Sequence, residues 1–212
     1  MGLKETMLFL RGAATNLAEV GSIIPSSRAV AKAMTSALRE KPAPRRILEV
    51  GAGTGPITAR IVREMRPGDH LDIYEINPEF TAYLERRFAR EPRFRQVRDQ
   101  VTIHTAGIET IARQPTYDVI ISAIPFTNFP PAAVKEFFET YRVILKPGGR
   151  LTYIEFAFGR TLLRKFGKKE DRQRLESLEE ILRHYQRSYR YRARFVPLNA
   201  PPARIHSLHF DR

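Results

Sequence analysis

Short apolar runs alternate with helical hydrophobic periods along most of the chain, starting near Arg46. The alternation comprises Ile47–Val50, Ile57–Met65, Leu71–Tyr74, Phe80–Phe88, Val101–Ile103, Tyr117–Ile121, Val134–Leu145 and Leu151–Phe156. The first, third, fifth, sixth and eighth runs are strand-like, and the others repeat with helical spacing. Strand and helix in this order predict right-handed crossovers and a doubly wound parallel sheet.

The C-terminal part of the pattern is different. Two strand-like runs, Tyr189–Leu198 and Arg204–Phe210, flank the turn residues Asn199–Pro202 with no helix between them. Strands joined by so short a connection pair antiparallel. We therefore predict that the sheet ends in an antiparallel pair.

Two helices are predicted before the sheet. Apolar residues from Leu3 to Leu17 recur at steps of three and four, which indicates an amphipathic helix over residues 3–19. A second helix is predicted from the cap Pro25-Ser26-Ser27 to the Lys41–Pro44 stretch. We divide the chain into an N-terminal membrane-interface helix, 1–20, and one domain, 21–212.

Composition narrows the class of partner. The 212 residues carry 36 Lys and Arg against 23 Asp and Glu, a net charge of +13, and contain no cysteine. A disulfide scaffold and a thiolate metal site are therefore excluded, and with five scattered histidines we expect no metal. The positive charge favours an anionic partner, either nucleic acid or a phospholipid surface. It is concentrated in residues 160–194, and no run of apolar residues is long enough to span a membrane.

A glycine loop follows the first predicted strand. Residues Glu49–Gly55 read Glu-Val-Gly-Ala-Gly-Thr-Gly, and Glu75 closes the second strand 20 residues later. Glycines there allow a ligand to approach the backbone, and a carboxylate at the next strand end can accept both hydroxyls of a ribose. Acidic Glu49 favours a cationic ribose ligand over a pyrophosphate. The alternative is that the glycines only form a tight turn and Glu75 is solvated.

These residues resemble the class I S-adenosylmethionine-dependent methyltransferases, as does the Leu145–Leu151 turn into the fifth strand. The resemblance implies a Rossmann-like, seven-stranded, mostly parallel sheet with extra N-terminal helices, and S-adenosylmethionine as cofactor. The residues expected to bind the cofactor are Ser26, Ser27, Glu49, Gly51, Gly53, Thr54, Gly55, Glu75, Ile76, Gly107, Ile108 and Ser122.

A second resemblance concerns the segment Gly21–Arg28. It is similar to the cofactor lid of bacterial phospholipid N-methyltransferases, in the branch related to ribosomal RNA adenine dimethylases. A serine-rich helix start also offers hydroxyls and N–H groups to a carboxylate. The alternative is an ordinary helix cap.

The acceptor is suggested by the residues Ser122–Phe126, which follow the fourth strand. Adenine N6-methyltransferases carry Asn or Asp where this chain has Ala123. An exocyclic adenine amine needs that acceptor, whereas a neutral alkyl amine does not, so the departure favours an amine such as ethanolamine. Phe126 and Phe129 lie beside the expected methyl path, as ligands for a methylated ammonium or as core residues.

In the basic segment, Tyr185 and Arg187 combine an aromatic ring with a phosphate-binding cation. We assign both as the catalytic pair for a phosphoethanolamine headgroup, the alternative being a solvated helix face. No base-stacking or groove-reading motif is present, so no nucleic acid partner is expected.

The resemblance and these residues together predict a phosphatidylethanolamine N-methyltransferase that forms phosphatidylcholine stepwise. We expect a cytoplasmic monomer bound to the anionic inner face of the membrane through the N-terminal helix and basic segment. Three alternatives stay open: an RNA adenine methyltransferase, a small-molecule amine or quinone methyltransferase, and a non-catalytic S-adenosylmethionine-binding protein.

Overall fold

Seven strands form one sheet in the computed structural model, which describes residues 26–156 and 168–211. The strands are β1 (Arg46–Val50), β2 (His70–Glu75), β3 (Val101–Thr105), β4 (Tyr117–Ser122), β5 (Leu145–Phe156), β6 (Arg190–Val196) and β7 (Ala203–Phe210). Their order across the sheet is β3-β2-β1-β4-β5-β7-β6.

Strands β1 to β5 are parallel, and β7 is antiparallel to both of its neighbours, β5 and β6. In register, Ile47 of β1 lies between Leu71 of β2 and Val119 of β4. The predicted Rossmann-like sheet with an antiparallel final pair is confirmed. Since β1 is central and its neighbours are parallel, the loops after β1, β2 and β4 emerge side by side.

Helices cover both faces of this sheet. They are α1 (Arg28–Met34), α2 (Ala37–Glu40), α3 (Pro56–Glu64), α4 (Pro78–Arg90), α5 (Pro92–Arg95), α6 (Pro131–Ile144) and α7 (Lys169–Ser188). One core layer contains Phe138 of α6 and Tyr153 of β5, and the other contains Met34 of α1 and Ile61 of α3. None of the helices in the two described ranges is long and apolar enough to cross a bilayer.

The second predicted helix is divided in two. It begins as predicted, with the Ser27 hydroxyl accepting from Val30 N at 3.2 Å, but α1 ends at Met34 and α2 starts at Ala37. The Thr35 hydroxyl donates to Ala31 O at 2.9 Å at this junction. A β-branched hydroxyl residue that bonds back to the preceding turn competes with the helical backbone bonds, which fits an interruption there.

The predicted basic segment is mostly the helix α7, and the helix itself has no net charge. Its 20 residues carry five basic and five acidic side chains, namely Lys169, Arg172, Arg174, Arg183 and Arg187 against Glu170, Asp171, Glu176, Glu179 and Glu180. The positive excess of residues 160–194 therefore lies before and after this helix, and β6 carries its C-terminal share.

The N-terminal helix predicted for residues 3–19 lies outside the described residues. The same holds for the lid segment up to Pro25 and for residues 157–167 of the basic segment. The division at residue 20 and the membrane role of the first helix stay predictions.

A buried ion pair fixes the start of the sheet. Arg45, 2% exposed, bonds Asp69 through Nε at 3.1 Å and through Nη2, and its Nη2 also donates to Glu64 O at 2.8 Å. Asp69 also accepts from the backbone N of Arg45 and Arg66, each at 2.8 Å. Burial acts to raise the pKa of Asp69, but these bonds outweigh it and lower the pKa.

We predict that Asp69→Asn lowers the free energy of unfolding at pH 7 by about 3–5 kcal/mol, because Arg45 would keep a buried charge without its counter-ion. A carboxyl with a lowered pKa stabilises the fold above its unfolded pKa and loses that contribution as pH falls through the folded pKa. The difference between wild type and variant should therefore shrink in urea titrations below pH 4. A constant difference from pH 7 to pH 3 would contradict this role.

Candidate functional site

The loop after β1 has a backbone that favours glycine. Gly51, Gly53 and Gly55 all have positive φ, at 74°, 55° and 80°. A Cβ on Gly53 would meet nothing within 4 Å, so glycine is needed there for conformation and leaves the backbone open to a ligand. Gly55 precedes α3, and a Cβ there would come within 2.6 Å of Leu84 Cδ2. The loop thus combines an open Gly53 with a close-packed Gly55.

Glu75 connects this loop to the end of β2. Its Oε2 accepts from Gly53 N at 2.9 Å, and its Oε1 accepts from Asn77 N at 3.0 Å. Burial raises the pKa of Glu75, and the backbone N–H groups of Asn77, Gly53 and Ile76 oppose the rise. Each carboxylate oxygen has two lone-pair sites, so each keeps capacity for one further donor. The geometry is therefore compatible with a pair of ribose hydroxyls, and the contact itself stays a prediction.

A cavity of about 490 Å³ opens at the carboxyl ends of the parallel strands. This volume is in the range of small-molecule and cofactor sites. One half, the cofactor half, is lined from the ends of β1, β2 and β3 by residues that include Gly53, Thr54, Glu75 and Ile108. The other half, the acceptor half, is lined by residues that follow β4, lie at the end of β5 or connect β6 to β7.

The structure brings eight of the predicted cofactor residues to the cavity wall. They are Ser26, Gly51, Gly53, Thr54, Glu75, Ile76, Gly107 and Ile108. The remaining four, Ser27, Glu49, Gly55 and Ser122, lie behind the wall. Ser27 caps α1, and the Ser122 hydroxyl is buried and accepts from the Tyr141 hydroxyl at 3.0 Å. These two side chains support neighbouring residues and do not face the cavity.

Glu49 is buried beneath the glycine loop. It is 0% exposed, and neither carboxylate oxygen has a hydrogen-bond partner of normal geometry among the described residues. Burial raises its pKa to about 8, the Glu75 charge adds to the rise, and Thr58 and Arg87 oppose it. An orphaned carboxyl next to the loop fits a cofactor that carries positive charge, because such a charge would stabilise the ionised form.

Tyr185 and Arg187 do not reach the cavity. Tyr185 is 3% exposed, stacks on Phe138 and donates its hydroxyl to Glu139 Oε1 at 2.6 Å. Its place was readable from spacing: Leu175, Leu178 and Leu182 precede it at steps of three and four, which puts it on the apolar stripe of α7. Arg187 is exposed in the last turn of the same helix. The prediction that the two act together on a headgroup in the cavity finds no support in this arrangement.

The two predicted phenylalanines differ in position. Phe126 is a core residue that packs against Phe137, Phe138 and Tyr153 and does not line the cavity. Phe129 does line it, as does Ala123, whose backbone N donates to Val50 O at 2.8 Å. The Ala123 position therefore faces the cavity, where the sequence argument requires it to be.

Sequence reasoning missed several wall residues, namely Asn77, Phe80, Glu109, Thr127, Asn128, Phe137, Ile154, Phe156, Ala200 and Pro201. Some of them follow β2, β3 and β4 by a few residues, so their nearness to strand ends was an available signal. No such signal was available for Ala200 and Pro201, because their position at the cavity depends on where the β6–β7 connection folds. There Asn199 Oδ1 accepts from Ser27 N at 2.9 Å, which links residues 172 positions apart.

We predict that Glu75→Ala weakens binding of S-adenosylhomocysteine about 100-fold or more, since the two bonds to a charged group contribute about 1.5–3 kcal/mol each. Titration calorimetry with the compound and its 2′-deoxy analogue separates ribose contact from loop distortion. The analogue should bind wild type more weakly but lose less on mutation. Glu79→Ala, an exposed change on α4, is the matched control. Equal losses for both compounds would contradict the ribose role.

We predict that Glu49→Gln raises the melting temperature at pH 9 and leaves it almost unchanged at pH 5. In the unfolded chain this carboxyl ionises near pH 4.5, whereas in the fold it holds its proton to about pH 8. The folded state then binds more protons, so this group makes stability fall as pH rises through that window. Each kcal/mol recovered corresponds to about 2–4 °C. Parallel melting curves at all pH values would show that Glu49 is not neutral in the fold.

Comparisons with known proteins agree with this site. Residues 47–149, which contain β1 to β4 and the glycine loop, match the family described as "Methyltransferase domain". An ornithine lipid N-methyltransferase of Singulisphaera acidiphila is 28% identical over 152 residues, 72% of this chain and 78% of that protein. The ubiquinone/menaquinone biosynthesis C-methyltransferase UbiE of Agrobacterium fabrum is 34% identical over 129 residues, and the matched part is 47% of its length.

Solved structures share the fold at low sequence identity. A cofactor-bound protein, Rv0187 from MTB, superposes with a TM-score of 0.68 over 96% of this chain and 90% of its own, at 16% identity. The O-methyltransferase TomG from Streptomyces achromogenes, in complex with S-adenosylmethionine, has a TM-score of 0.59 over 92% and 96%, at 15% identity. Residues 47–149, which carry the glycine loop and Glu75, thus match a methyltransferase-domain family, and the fold is shared with solved structures that include an S-adenosylmethionine-bound methyltransferase.

Proposed function

We propose that this protein is a class I S-adenosylmethionine-dependent methyltransferase that transfers methyl groups to the amine nitrogen of a phospholipid, with phosphatidylethanolamine and its mono- and dimethyl forms as substrates and phosphatidylcholine as the end product. In this proposal the protein acts as a monomer at the anionic cytoplasmic face of a membrane and has no nucleic acid partner. The observation that carries it is the chemistry of the acceptor half of the cavity.

That half is almost entirely apolar. Its described wall residues are aliphatic, aromatic or proline except for Thr127 and Asn128. Phe129 and Phe137 face it, and their ring faces suit an alkyl ammonium that gains methyl groups. A planar base that needs several donors and acceptors would find few partners there.

Two polar side chains on a short 3₁₀ turn can orient the amine. The turn Phe126–Asn128 is held by Phe126 in the core and by the bond from Asn128 N to Pro125 O at 2.9 Å. The Asn128 amide oxygen is an acceptor for an amine N–H, and the Thr127 hydroxyl is both donor and acceptor. We assign Asn128 as the residue that aims the nitrogen lone pair towards the cofactor half.

When bound, S-adenosylmethionine supplies a methyl group on a sulfonium, which passes to the amine as the C–S bond breaks and leaves neutral S-adenosylhomocysteine. Glu75, Gly53 and Thr54 would hold this cofactor. The carboxylates on the described wall, Glu75 and Glu109, are in the cofactor half, so no described wall residue of the acceptor half is a carboxylate or histidine base. The amine proton therefore goes to water before transfer. Apolar walls lower the amine pKa and favour that loss.

The relatives support lipid N-methylation and also suggest a second candidate. The ornithine lipid N-methyltransferase matches over 78% of its own length, and its name describes methyl transfer to a nitrogen of a lipid. UbiE relatives favour C-methylation of a quinone precursor, for which an apolar cavity is also suitable. Ring C-methylation requires a deprotonated phenol, and the acceptor half offers no described base for it.

We predict that the full chain transfers labelled methyl from S-adenosylmethionine to phosphatidylethanolamine in vesicles, and more slowly or not at all to unmodified ribosomal RNA or a demethylquinone. Chromatography of the products identifies the methylated species. Asn128→Ala should lower kcat/KM for the lipid about tenfold or more while S-adenosylhomocysteine affinity, the internal control, is unchanged. Label in RNA or quinone alone would overturn the proposal. Loss of cofactor affinity in Asn128→Ala would overturn its assigned role.

A further inference from the structure

The edge strand β6 and the turn after it differ from the rest of the described surface. Four large apolar side chains are exposed in the described ranges, and three of them lie within eight residues: Tyr191, Phe195 at 54% and Leu198 at 76%. All six residues from Arg190 to Phe195 are exposed. Isolated exposed apolar residues are ordinary, but a cluster on one edge indicates a contact surface.

Arginines accompany these apolar residues. Arg190, Arg192 and Arg194 alternate with Tyr191 and Phe195 along the strand and so point to the opposite face of the sheet. Arg204, paired with Phe195 across the ladder, is exposed on the same face as Phe195. No Asp or Glu occurs between residues 181 and 210, so the charge is not balanced by neighbours in sequence.

The strands behind β6 add little charge to this face. His209 is opposite Arg190, and Arg150 of β5 is opposite His209. Arg150 is paired with Glu40 at 3.4 Å, and burial, together with the charges of Arg150 and Arg192, lowers the pKa of His209. The positive charge at this sheet edge therefore comes from the arginines of β6 themselves.

We propose that the β6 rim, defined as Arg190, Arg192, Arg194, Phe195, Leu198 and Arg204, docks on an anionic lipid bilayer and delivers the acceptor to the cavity mouth. The inference deepens the proposed function by naming a surface that meets the lipid. Leu198 and Phe195 enter the headgroup region, and the arginines bind lipid phosphates from both sides of the strand.

The position of the rim next to the cavity supports a lipid over other partners. Leu198 stands two residues before Ala200 and three before Pro201, which line the acceptor half of the cavity. Asn199, between them, bonds Ser27 N, and Ser26 lines the cavity beside it. Insertion of the Leu198 side chain into the bilayer would therefore place the lipid headgroups at the mouth of the cavity.

Two other partners fit less well. A single-stranded RNA would use aromatic rings for stacking, but Leu198, the most exposed apolar residue of the rim, has no ring to stack. Pairing with the β6 strand of a second copy would bring three arginines against three others. Charges of one sign on an edge strand oppose such pairing.

The test measures binding of the full chain to sedimenting vesicles without methyl transfer, so that it can fail independently of the proposed function. Vesicles of phosphatidylcholine are compared with vesicles that contain 30 mol% phosphatidylglycerol in addition. Arg190→Gln, Arg192→Gln and Arg194→Gln together should lower binding to the anionic vesicles about 100-fold, at roughly fivefold for each arginine. Phe195→Ser with Leu198→Ser should weaken binding to both kinds of vesicle.

The matched control changes Arg90, Arg93 and Arg95 to Gln. These arginines are exposed near the opposite edge of the sheet, and their removal alters net charge by the same amount. Rim variants that bind vesicles as well as this control would overturn the inference, because binding would then depend on net charge or on another segment. A rim triple variant that loses binding to RNA and keeps vesicle binding would overturn it in favour of a nucleic acid.

Methyl transfer by the same proteins separates the two proposals. If rim variants lose vesicle binding and the wild type methylates no lipid, the docking surface stands and the proposed acceptor is wrong. If the wild type methylates phosphatidylethanolamine and the rim variants do so equally well in anionic vesicles, the acceptor stands and the docking surface is wrong.

Discussion

The hydrogen bond from Gly53 N to Glu75 Oε2 joins the two strand ends on which the site depends. It can form only because β1 and β2 are adjacent and parallel, so that their carboxyl ends emerge together. The Gly53 N–H, which no side chain covers, donates to the Glu75 carboxylate. This bond favours the ionised form of Glu75, whereas burial disfavours it. The same bond shapes the loop and orients the acid, so a change in loop conformation would also change the orientation of the Glu75 carboxylate.

The central sheet was predictable because its signals are local. Short apolar runs of three to six residues, separated by helical periods, identified the strands from Ile47 to Phe156, and two further strand-like runs identified the antiparallel end. The glycine loop and Glu75 were also predictable, because a nearby strand end fixes where each of them lies. The break between Thr35 and Ala37 was not, since apolar spacing continues through it.

Tyr185 and Arg187 were assigned to the acceptor because of their side-chain chemistry, and the helical spacing of the apolar residues around them was given too little weight. Tyr185 has the right chemistry for a headgroup, yet its spacing with Leu178 and Leu182 places it in the core. The charge of residues 160–194 was likewise treated as one surface, although α7 is balanced and the excess falls on residues 160–168 and on β6. Thr127 and Asn128 lacked any recognisable motif, and their place depends on how Phe126 and Phe129 are buried around them.

The insertion of β7 between β5 and β6 has a consequence for the order of assembly. Strand β6 is made before β7 but pairs with no other described strand, so it has no ladder partner until residues 203–210 have left the ribosome. Until then its arginines and aromatic rings are on an unpaired segment, and Ala200 and Pro201 have no fixed position. The cofactor half of the cavity can therefore be in place during synthesis, whereas the part of the acceptor half that Ala200 and Pro201 line is completed last.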